Sequence, residues 1–387
     1  MEPCSVDAIV CDPPYGLSPD GKARTWDDIT DGRTRGGFMG KAWDAAVPGV
    51  TWARQCLRVL KPGGHLVAFG GTRTIHRLAC AIEDAGLEVR DTIAWQYWSG
   101  FPKSLDVSKA IDKAAGADRE VVGFDAARAR PNKASYAKSV GEISLHGLSG
   151  IRDNGATITA PATDDAKRWQ GWGTALKPSF EPAILARKPL DGTVAANVLR
   201  WGTGALNIDG CRYAYGDPAW PGPQDRDDTA RISNAGTSGD GWRMGTRDRI
   251  TGGHALGRWP ANVYACPKAS RSEREAGCRH LPARSGADAV ERVEGSAGMD
   301  NPRAGAGRTA TEVRNHHPTV KPAALMSWLC RLVTPPGGVI LDPFCGSGTT
   351  GLGALRGGFD FIGIELDPEY AKIARARIEG DAPLFNR

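Results

Sequence analysis

None of the nine cysteines of this 387-residue chain stands at paired CxxC spacing, so neither a disulfide framework nor a zinc ribbon is indicated. Cys266, Cys278 and His280 can be imagined as metal ligands, but no spacing rule calls for it and no metal is expected. No apolar run is long enough to span a membrane and no basic-then-apolar leader opens the chain, which predicts no membrane contact and a cytoplasmic location. Internal repeats are lacking. Charge excess is small, with a formal net value of +5, but it is unevenly placed. Of 49 Lys+Arg and 44 Asp+Glu, residues 101–320 hold 31 and 25, and the remainder holds 18 and 19. The positive surplus therefore lies wholly in the middle of the chain, which suits a polyanionic partner.

What is present is concentrated in two stretches. The first, Val339 to Gly351, reads VILDPFCGSGTTG. A short apolar run with two β-branched residues, bounded by glycines, is the pattern of a strand buried on both faces. Gly346, Gly348 and Gly351 punctuate the turn after Asp342, and a helix carrying Leu352 and Leu355 follows. Strand, glycine turn and helix N-terminus together let a backbone press close to a ligand. A second apolar run, Phe359 to Leu366, brings Glu365 to about the end of the next strand, where an acid accepts hydrogen bonds from ribose hydroxyls. The glycines formally satisfy GxGxxG, but Asp342-Pro343-Phe344 precedes them and only 36 residues remain after Gly351, which leaves no room for a second mononucleotide half. No GK[ST] follows, so a P-loop is excluded.

The second stretch lies near the other end. Val6 to Val10 form a buried strand that runs into Cys11-Asp12-Pro13-Pro14-Tyr15-Gly16. The prolines stiffen the backbone and donate no N–H, leaving carbonyls and the Asp12 carboxylate as acceptors. Such a site grips an NH2 group through its hydrogens, and Tyr15 offers a face on which a base can stack. An exocyclic amine is a poor nucleophile because its lone pair is delocalised into the ring. Acceptors that draw its hydrogens out of plane return that pair to nitrogen. The chain's one Pro-Cys pair, Pro3-Cys4, precedes the first strand, so no cysteine nucleophile following a proline is expected at this turn.

Between these stretches the chain repeats one plan. A helix over Thr51 to Leu60 stops at Lys61-Pro62-Gly63-Gly64 before a strand at His65 to Phe69. A helix over Lys321 to Val333, with Leu325, Trp328, Leu329, Leu332 and Val333 on one face, stops at Pro335-Pro336-Gly337-Gly338 before Val339. A helix at Ile75 to Ala85 and one or two strands over Leu87 to Tyr97 complete the first part. Neither terminal part can cover its own sheet. The expected architecture is therefore α/β, one doubly wound Rossmann-like sheet built from residues 1–100 and 315–387, with 101–314 inserted. Within the insertion, ordered islands are predicted at Ser179 to Arg187, Ala195 to Ile208 and Trp259 to Cys266. Stretches near 125–170, 217–258 and 284–314 are predicted to be partly disordered without a partner.

DPPY followed by a long insertion and then DPFCGSGTT with GIELDPEY resembles the β arrangement of the amino-methylating DNA methyltransferases, of phage or bacterial type. A weaker likeness to phage-type DNA methylases runs through FMGKAWD (Phe38 to Asp44), FPKS (Phe101 to Ser104) and ALNIDG (Ala205 to Gly210). The resemblance implies a site-specific enzyme that uses S-adenosylmethionine to methylate adenine N6 in double-stranded DNA, with cytosine N4 or an inactive DNA-binding relative as alternatives. By it Asp12, Pro13, Pro14 and Tyr15 form the catalytic pocket. Asp342, Phe344, Gly346 and Gly348 wrap the methionine part of the cofactor, Glu365 takes the ribose, and Thr319 and Lys321 in HPTVKP reach the cofactor as well. The insertion becomes a target-recognition region, in which Trp169, Trp172, Trp201, Trp242, Arg243, Arg247, Arg249 and Trp259 either meet DNA or serve as core tryptophans and solvated arginines. Partners implied are DNA, and either a cognate restriction enzyme or none, with the protein a monomer or homodimer. Family members carry a Gly-Asp-x-Leu stretch before the DPPY strand that contributes to the adenine pocket. This chain has five residues before Val6, so an upstream strand or helix is expected to belong to the fold.

Overall fold

The computed structural model describes residues 1–17, 23–29, 44–100, 104–124, 157–214, 216–220, 256–284 and 312–381. In chain order the first elements are β1 (Val6–Cys11), α1 (Val50–Val59), β2 (Leu60–Phe69), α2 (Ile75–Asp84), β3 (Glu88–Gln96), α3 (Val107–Ala114), β4 (Val121–Phe124), β5 (Thr157–Thr159) and α4 (Asp164–Arg168). They are followed by β6 (Phe180–Arg187), α5 (Val194–Trp201), β7 (Val263–Ala265), α6 (Arg271–Glu275), α7 (Ala323–Val333), β8 (Val339–Asp342), α8 (Thr349–Arg356), β9 (Asp360–Gly363) and α9 (Pro368–Asp381). Two compact units divide them: Met1–Ser99, Ser179–Leu281 and His317–Arg387 form one, Gly100–Pro178 and Pro282–His316 the other.

The larger unit is built on a seven-stranded sheet of order β7-β3-β6-β2-β1-β8-β9. Every pairing is parallel except those of β6, which runs antiparallel to both β2 and β3. The two chain ends meet at its centre, where Ala8 and Ile9 of β1 pair with Ile340 and Leu341 of β8. Because strand side chains alternate, each strand feeds both faces. Val10, Val67, Phe69 and Leu185 join Leu325, Trp328 and Leu329 of α7 on one face. Ile9, Leu66, Ala68 and Ile184 join Ala53 and Cys56 of α1 and Leu78 and Ile82 of α2 on the other. The sheet is thus covered on both sides, as its near-continuous apolar strands require.

Two local features differ from the sequence expectation. Lys61-Pro62-Gly63-Gly64 does not end before β2 but lies within it, as a bulge: Val6 pairs with Leu60 and Ala8 already with His65. Lys61 Nζ reaches Asp7 Oδ1 at 2.6 Å, and a Cβ at Gly64 would lie 2.8 Å from the Asp7 carbonyl, so the close approach needs glycine. The division of the chain also differs. Residues 179–281, placed by sequence in the insertion, supply β6, α5, β7 and α6 to the sheet unit.

The smaller unit contains α3, α4 and the antiparallel pair β4–β5. Its centre is Asp112, fully buried, which accepts hydrogen bonds from the Ala162 and Thr163 amides, the Thr163 hydroxyl and the Arg119 guanidinium. Part of a stretch expected to lack order, residues 157–168, is β5 and α4. The other stretches expected to be disordered lie mostly outside the described residues.

Candidate active site

Both informative stretches emerge at the C-terminal ends of two adjacent inner strands of the sheet. β1 hands on to β2 on one side while β8 hands on to β9 on the other, so the chain reverses direction of travel between two adjacent parallel strands. A crevice at the C-terminal ends of such strands is where open α/β sheets take ligands. Asp12 directly follows β1, and the glycine turn directly follows β8.

The turn after β1 is pinned from outside it. Asp44 Oδ1 accepts from the amides of Tyr15 at 2.7 Å and Gly16 at 3.1 Å. The Thr74 hydroxyl donates to the Tyr15 carbonyl at 2.6 Å. Gly16 has φ +63°, and a Cβ there would sit 2.9 Å from the Val47 amide nitrogen. Pro13 and Pro14 are buried, and Asp12 and Tyr15 are half-buried. Sequence reasoning named neither Asp44 nor Thr74 for this role; the FMGKAWD likeness ending at Asp44 is the signal that was there to read.

Asp12 uses its two oxygens unequally. Oδ2 lies 2.5 Å from Lys321 Nζ, whereas Oδ1 is buried without a hydrogen-bond partner. Burial raises the pKa of Asp12, Lys321 opposes that rise and Glu181 adds to it. Lys321 also donates to the Tyr15 hydroxyl at 3.1 Å and lies 3.3 Å from Glu181 Oε2. Tyr15 donates its hydroxyl to the same Glu181 oxygen at 2.9 Å, and burial pushes its pKa well above the ordinary value. Burial would lower the pKa of Lys321, but Asp12 and Glu181 together raise it, so it is a firm cation. Glu181, predicted only as part of an ordered island, and Lys321, assigned by resemblance to the cofactor, are therefore both brought to Asp12.

The glycine turn is held by Asp342. Its Oδ1 accepts from the Phe344 amide at 2.9 Å and its Oδ2 from the Thr350 hydroxyl at 2.5 Å. Burial pushes its pKa up to about 7, against the pull of those two donors. Gly346 (φ +53°) and Gly348 (φ +79°) take left-handed conformations that side chains disfavour. A Cβ at Gly346 would lie 2.9 Å from His317 Nε2, so the His317 ring lies against the turn. Glu365 follows β9 and accepts from the Gly346 amide at 2.6 Å through Oε2 and from the Asp367 amide at 2.9 Å through Oε1. Each oxygen keeps acceptor capacity for a further donor. Thr319 is exposed, and its carbonyl lies 2.8 Å from His317 Nδ1. Phe344 is flanked by Trp26 and Trp52 at ring-centroid distances of 5.7 and 5.6 Å.

Of the aromatic and basic residues singled out in the middle of the chain, Trp242, Arg243, Arg247 and Arg249 lie outside the described residues, as do Phe38 to Trp43 and Phe101 to Lys103. Trp169, Trp172 and Trp259 are exposed rather than core residues. Trp201 donates to Asp191 at 3.0 Å. Among the described residues no group of three or more His, Cys, Asp or Glu is placed to hold a metal, and no helix is long and apolar enough to cross a membrane.

Comparison with known proteins places these features in context. A family described as DNA methylase, of the N6 and N4 type, matches residues 6–376. The chain is similar to the type II methyltransferase M2.DpnII of Streptococcus pneumoniae, with 52% identity over 65 residues, which are 17% of this chain and 24% of that protein. It is also similar to the DNA adenine methyltransferase YhdJ of Escherichia coli K12, with 45% identity over 64 residues, 16% of this chain and 22% of that protein. The matches thus span about a quarter of those relatives. Among solved structures, M1.HpyAVI with S-adenosylmethionine aligns at 17% identity over 96% of this chain and 89% of that one, with TM-score 0.37. The cytosine-N4-specific PvuII DNA methyltransferase aligns at 13% identity over 97% and 80%, with TM-score 0.41.

Proposed function

We infer what this protein does from one premise: the chain belongs to the DNA methylase family of N6 and N4 methyltransferases. It is then an S-adenosylmethionine-dependent enzyme that methylates adenine N6 in double-stranded DNA, on a base turned out of the duplex. The observation that carries this is the unpartnered, buried Oδ1 of Asp12, set in a turn whose two prolines offer no N–H. An acceptor left unsatisfied costs about 1–3 kcal/mol. An amine hydrogen from a target base would satisfy it.

The residues after β8 fit the cofactor. Gly346 and Gly348 let the turn pack tightly against His317 and Ala374 in left-handed conformations, and Glu365 presents a carboxylate beside it with spare acceptor capacity for ribose hydroxyls. Phe344, Gly346, Gly348 and Glu365 would hold the molecule, with Asp342 shaping the turn and Thr319 at its rim. When bound, S-adenosylmethionine supplies a methyl group on a positively charged sulfur. The chain's own residues prepare the other partner. Asp12 draws the amine hydrogen out of the ring plane, the carbonyls of the Asp12-Pro13-Pro14 segment give further acceptors, and the Tyr15 ring stacks on the base. Asp12, whose pKa is raised by burial, is also placed to take the proton that the amine gives up. These are interactions with the reacting group rather than with the ground-state duplex, and so act on the rate.

Adenine is favoured over cytosine by the Asp at the head of the motif and by the adenine specificity in the name of YhdJ. The positive surplus, which lies wholly in residues 101–320, is proposed to meet the DNA. The test is to incubate protein, labelled S-adenosylmethionine and duplex DNA, digest the DNA to nucleosides and separate them. Label in N6-methyl-2′-deoxyadenosine supports this function. Label in N4-methyl-2′-deoxycytidine keeps the mechanism and overturns the substrate. An unlabelled digest, with cofactor shown to bind, leaves a DNA-binding relative without catalysis.

A further inference from the structure

Asp12, Glu181 and Lys321 gather around Tyr15, with Lys268 behind Glu181, and the proposed chemistry uses only one of these four charged groups, Asp12. Glu181 reaches them because β6 is antiparallel: Glu181 pairs with Trp95 near the C-terminal end of β3, which puts the start of β6 at the crevice edge. Its Oε2 accepts from the Tyr15 hydroxyl at 2.9 Å and lies 3.3 Å from Lys321 Nζ, while its Oε1 lies 3.4 Å from Lys268 Nζ. Lys321 Nζ is shared between this carboxylate and Asp12 Oδ2, and it is enclosed by the rings of Tyr15, Phe69 and Trp95 at 5.3, 4.9 and 5.8 Å. Building on the methyl-transfer function above, we propose that Glu181 is a positioning residue that holds Lys321 as a shared counter-ion, so that Asp12 stays free to accept from the target amine.

The reason is a competition between donors. An ammonium is a stronger donor to a carboxylate than a neutral amine is, because the bond is charge-assisted. Without Glu181, Lys321 would face Asp12 as the one carboxylate within its reach and would pair with it undivided. The target amine would then compete with a full ion pair in a buried site, where such pairs are hard to break. With Glu181 present, Lys321 has a second seat 3.3 Å away and can yield Asp12 without entering solvent. Glu181 keeps its charge in this role: burial alone would raise its pKa, but Lys321 and Lys268 bring it below the usual value. The groups that bear on Asp12 are Lys321, Glu181 and Tyr15, with Asp342 at the end of the neighbouring β8 and Cys11 directly before Asp12 in β1.

Glu181→Gln keeps the shape and removes the charge. Its kcat for methyl transfer should fall roughly 10- to 100-fold, the scale seen when groups behind catalytic ligands are removed. Its affinity for S-adenosylmethionine by calorimetry and its KM for DNA should stay close to wild type. A purely structural role would not move the acid limb of the kcat–pH profile. The proposal requires that limb to shift to lower pH, because a negative charge facing Asp12 is gone. Lys268→Met, at a half-exposed position, is the opposing variant: Glu181 then leans on Lys321 alone and the limb should move to higher pH. A readout independent of turnover is the ammonium signal of Lys321 in lysine-labelled protein without cofactor or DNA, assigned by its loss in Lys321→Arg. That signal should titrate at lower pH in Glu181→Gln than in wild type. Wild-type activity with both variants unchanged in kcat and acid limb overturns the proposal and leaves the function standing. A cofactor-bound wild type that transfers no methyl group overturns the function, and the proposal with it.

Discussion

Replacing Asp12 with Ala should cut methyl transfer by roughly 10^2- to 10^3-fold or more, the loss typical of deleting a group that acts in the transition state. S-adenosylmethionine affinity should stay near wild type, because Asp12 follows β1 and the glycine turn follows β8. A variant that lost cofactor binding as severely as turnover would show that Asp12 serves the wrong ligand in this account. Tyr15 has two parts to separate. The sequence alone assigns its ring to the base and expects Tyr15→Phe to be mild. The structure adds a hydroxyl between Glu181 and Lys321. Tyr15→Phe is therefore predicted to reduce kcat while sparing DNA binding, and Tyr15→Ala to reduce both, as steady-state kinetics against binding titrations will show. Asp342 yields a stability prediction with a sign. Its folded pKa is raised to about 7, so its protonated form favours folding. That contribution is present in full below the unfolded value of about 4 and is lost as pH rises through about 7. Asp342→Asn cannot ionise, yet it keeps an acceptor for the Phe344 amide and offers an N–H to the Thr350 hydroxyl. Its melting temperature relative to wild type should climb from pH 5 to about pH 7, the span over which the raised carboxyl titrates, and level off by about pH 8. A difference that is flat with pH contradicts the assignment.

At the scale of elements, Asp7 joins three strands. It lies on β1, its Oδ1 takes Lys61 Nζ from the β2 bulge, and its Oδ2 takes the Val339 amide at the start of β8 at 2.8 Å. Asp7→Ala should destabilise folding by about 1–3 kcal/mol, the scale for leaving a buried partner unpaired. Denaturant unfolding measures this, and an unchanged midpoint would mean that the join is ornamental. Elements with strong local pattern were legible in the sequence. α7 shows all five expected residues of its face buried, and β1 and β8 appear within a residue or two of their expected bounds. The place of β6 was not legible. Pro182 within SFEPAILAR argues against a central strand, since it cannot donate to a ladder, and nothing local says that a strand 80 residues downstream returns antiparallel between β2 and β3. The same holds for the site. Asp12, Tyr15 and the glycine turn announce themselves by composition, whereas Asp44, Thr74 and Glu181 become visible only when tertiary contact brings them to Tyr15.

At the scale of the whole molecule, the two informative stretches lie more than 300 residues apart in sequence and on adjacent strands in the sheet. In the proposed function this adjacency would let one end of the chain grip the amine while the other holds the methyl donor. It also explains why neither terminal part is expected to act alone. DNA binding by the whole chain should weaken with added salt, because the surplus of Lys and Arg in residues 101–320 is proposed to meet phosphates. The most direct measurement is single-molecule sequencing of DNA from cells expressing the protein, beside cells expressing Asp12→Ala. It reports the modified base, its position and its flanks together. The account predicts N6-methyladenine at a shared short motif with the wild-type protein and none with the variant. Unmodified DNA in both, or equal methylation in both, would contradict it.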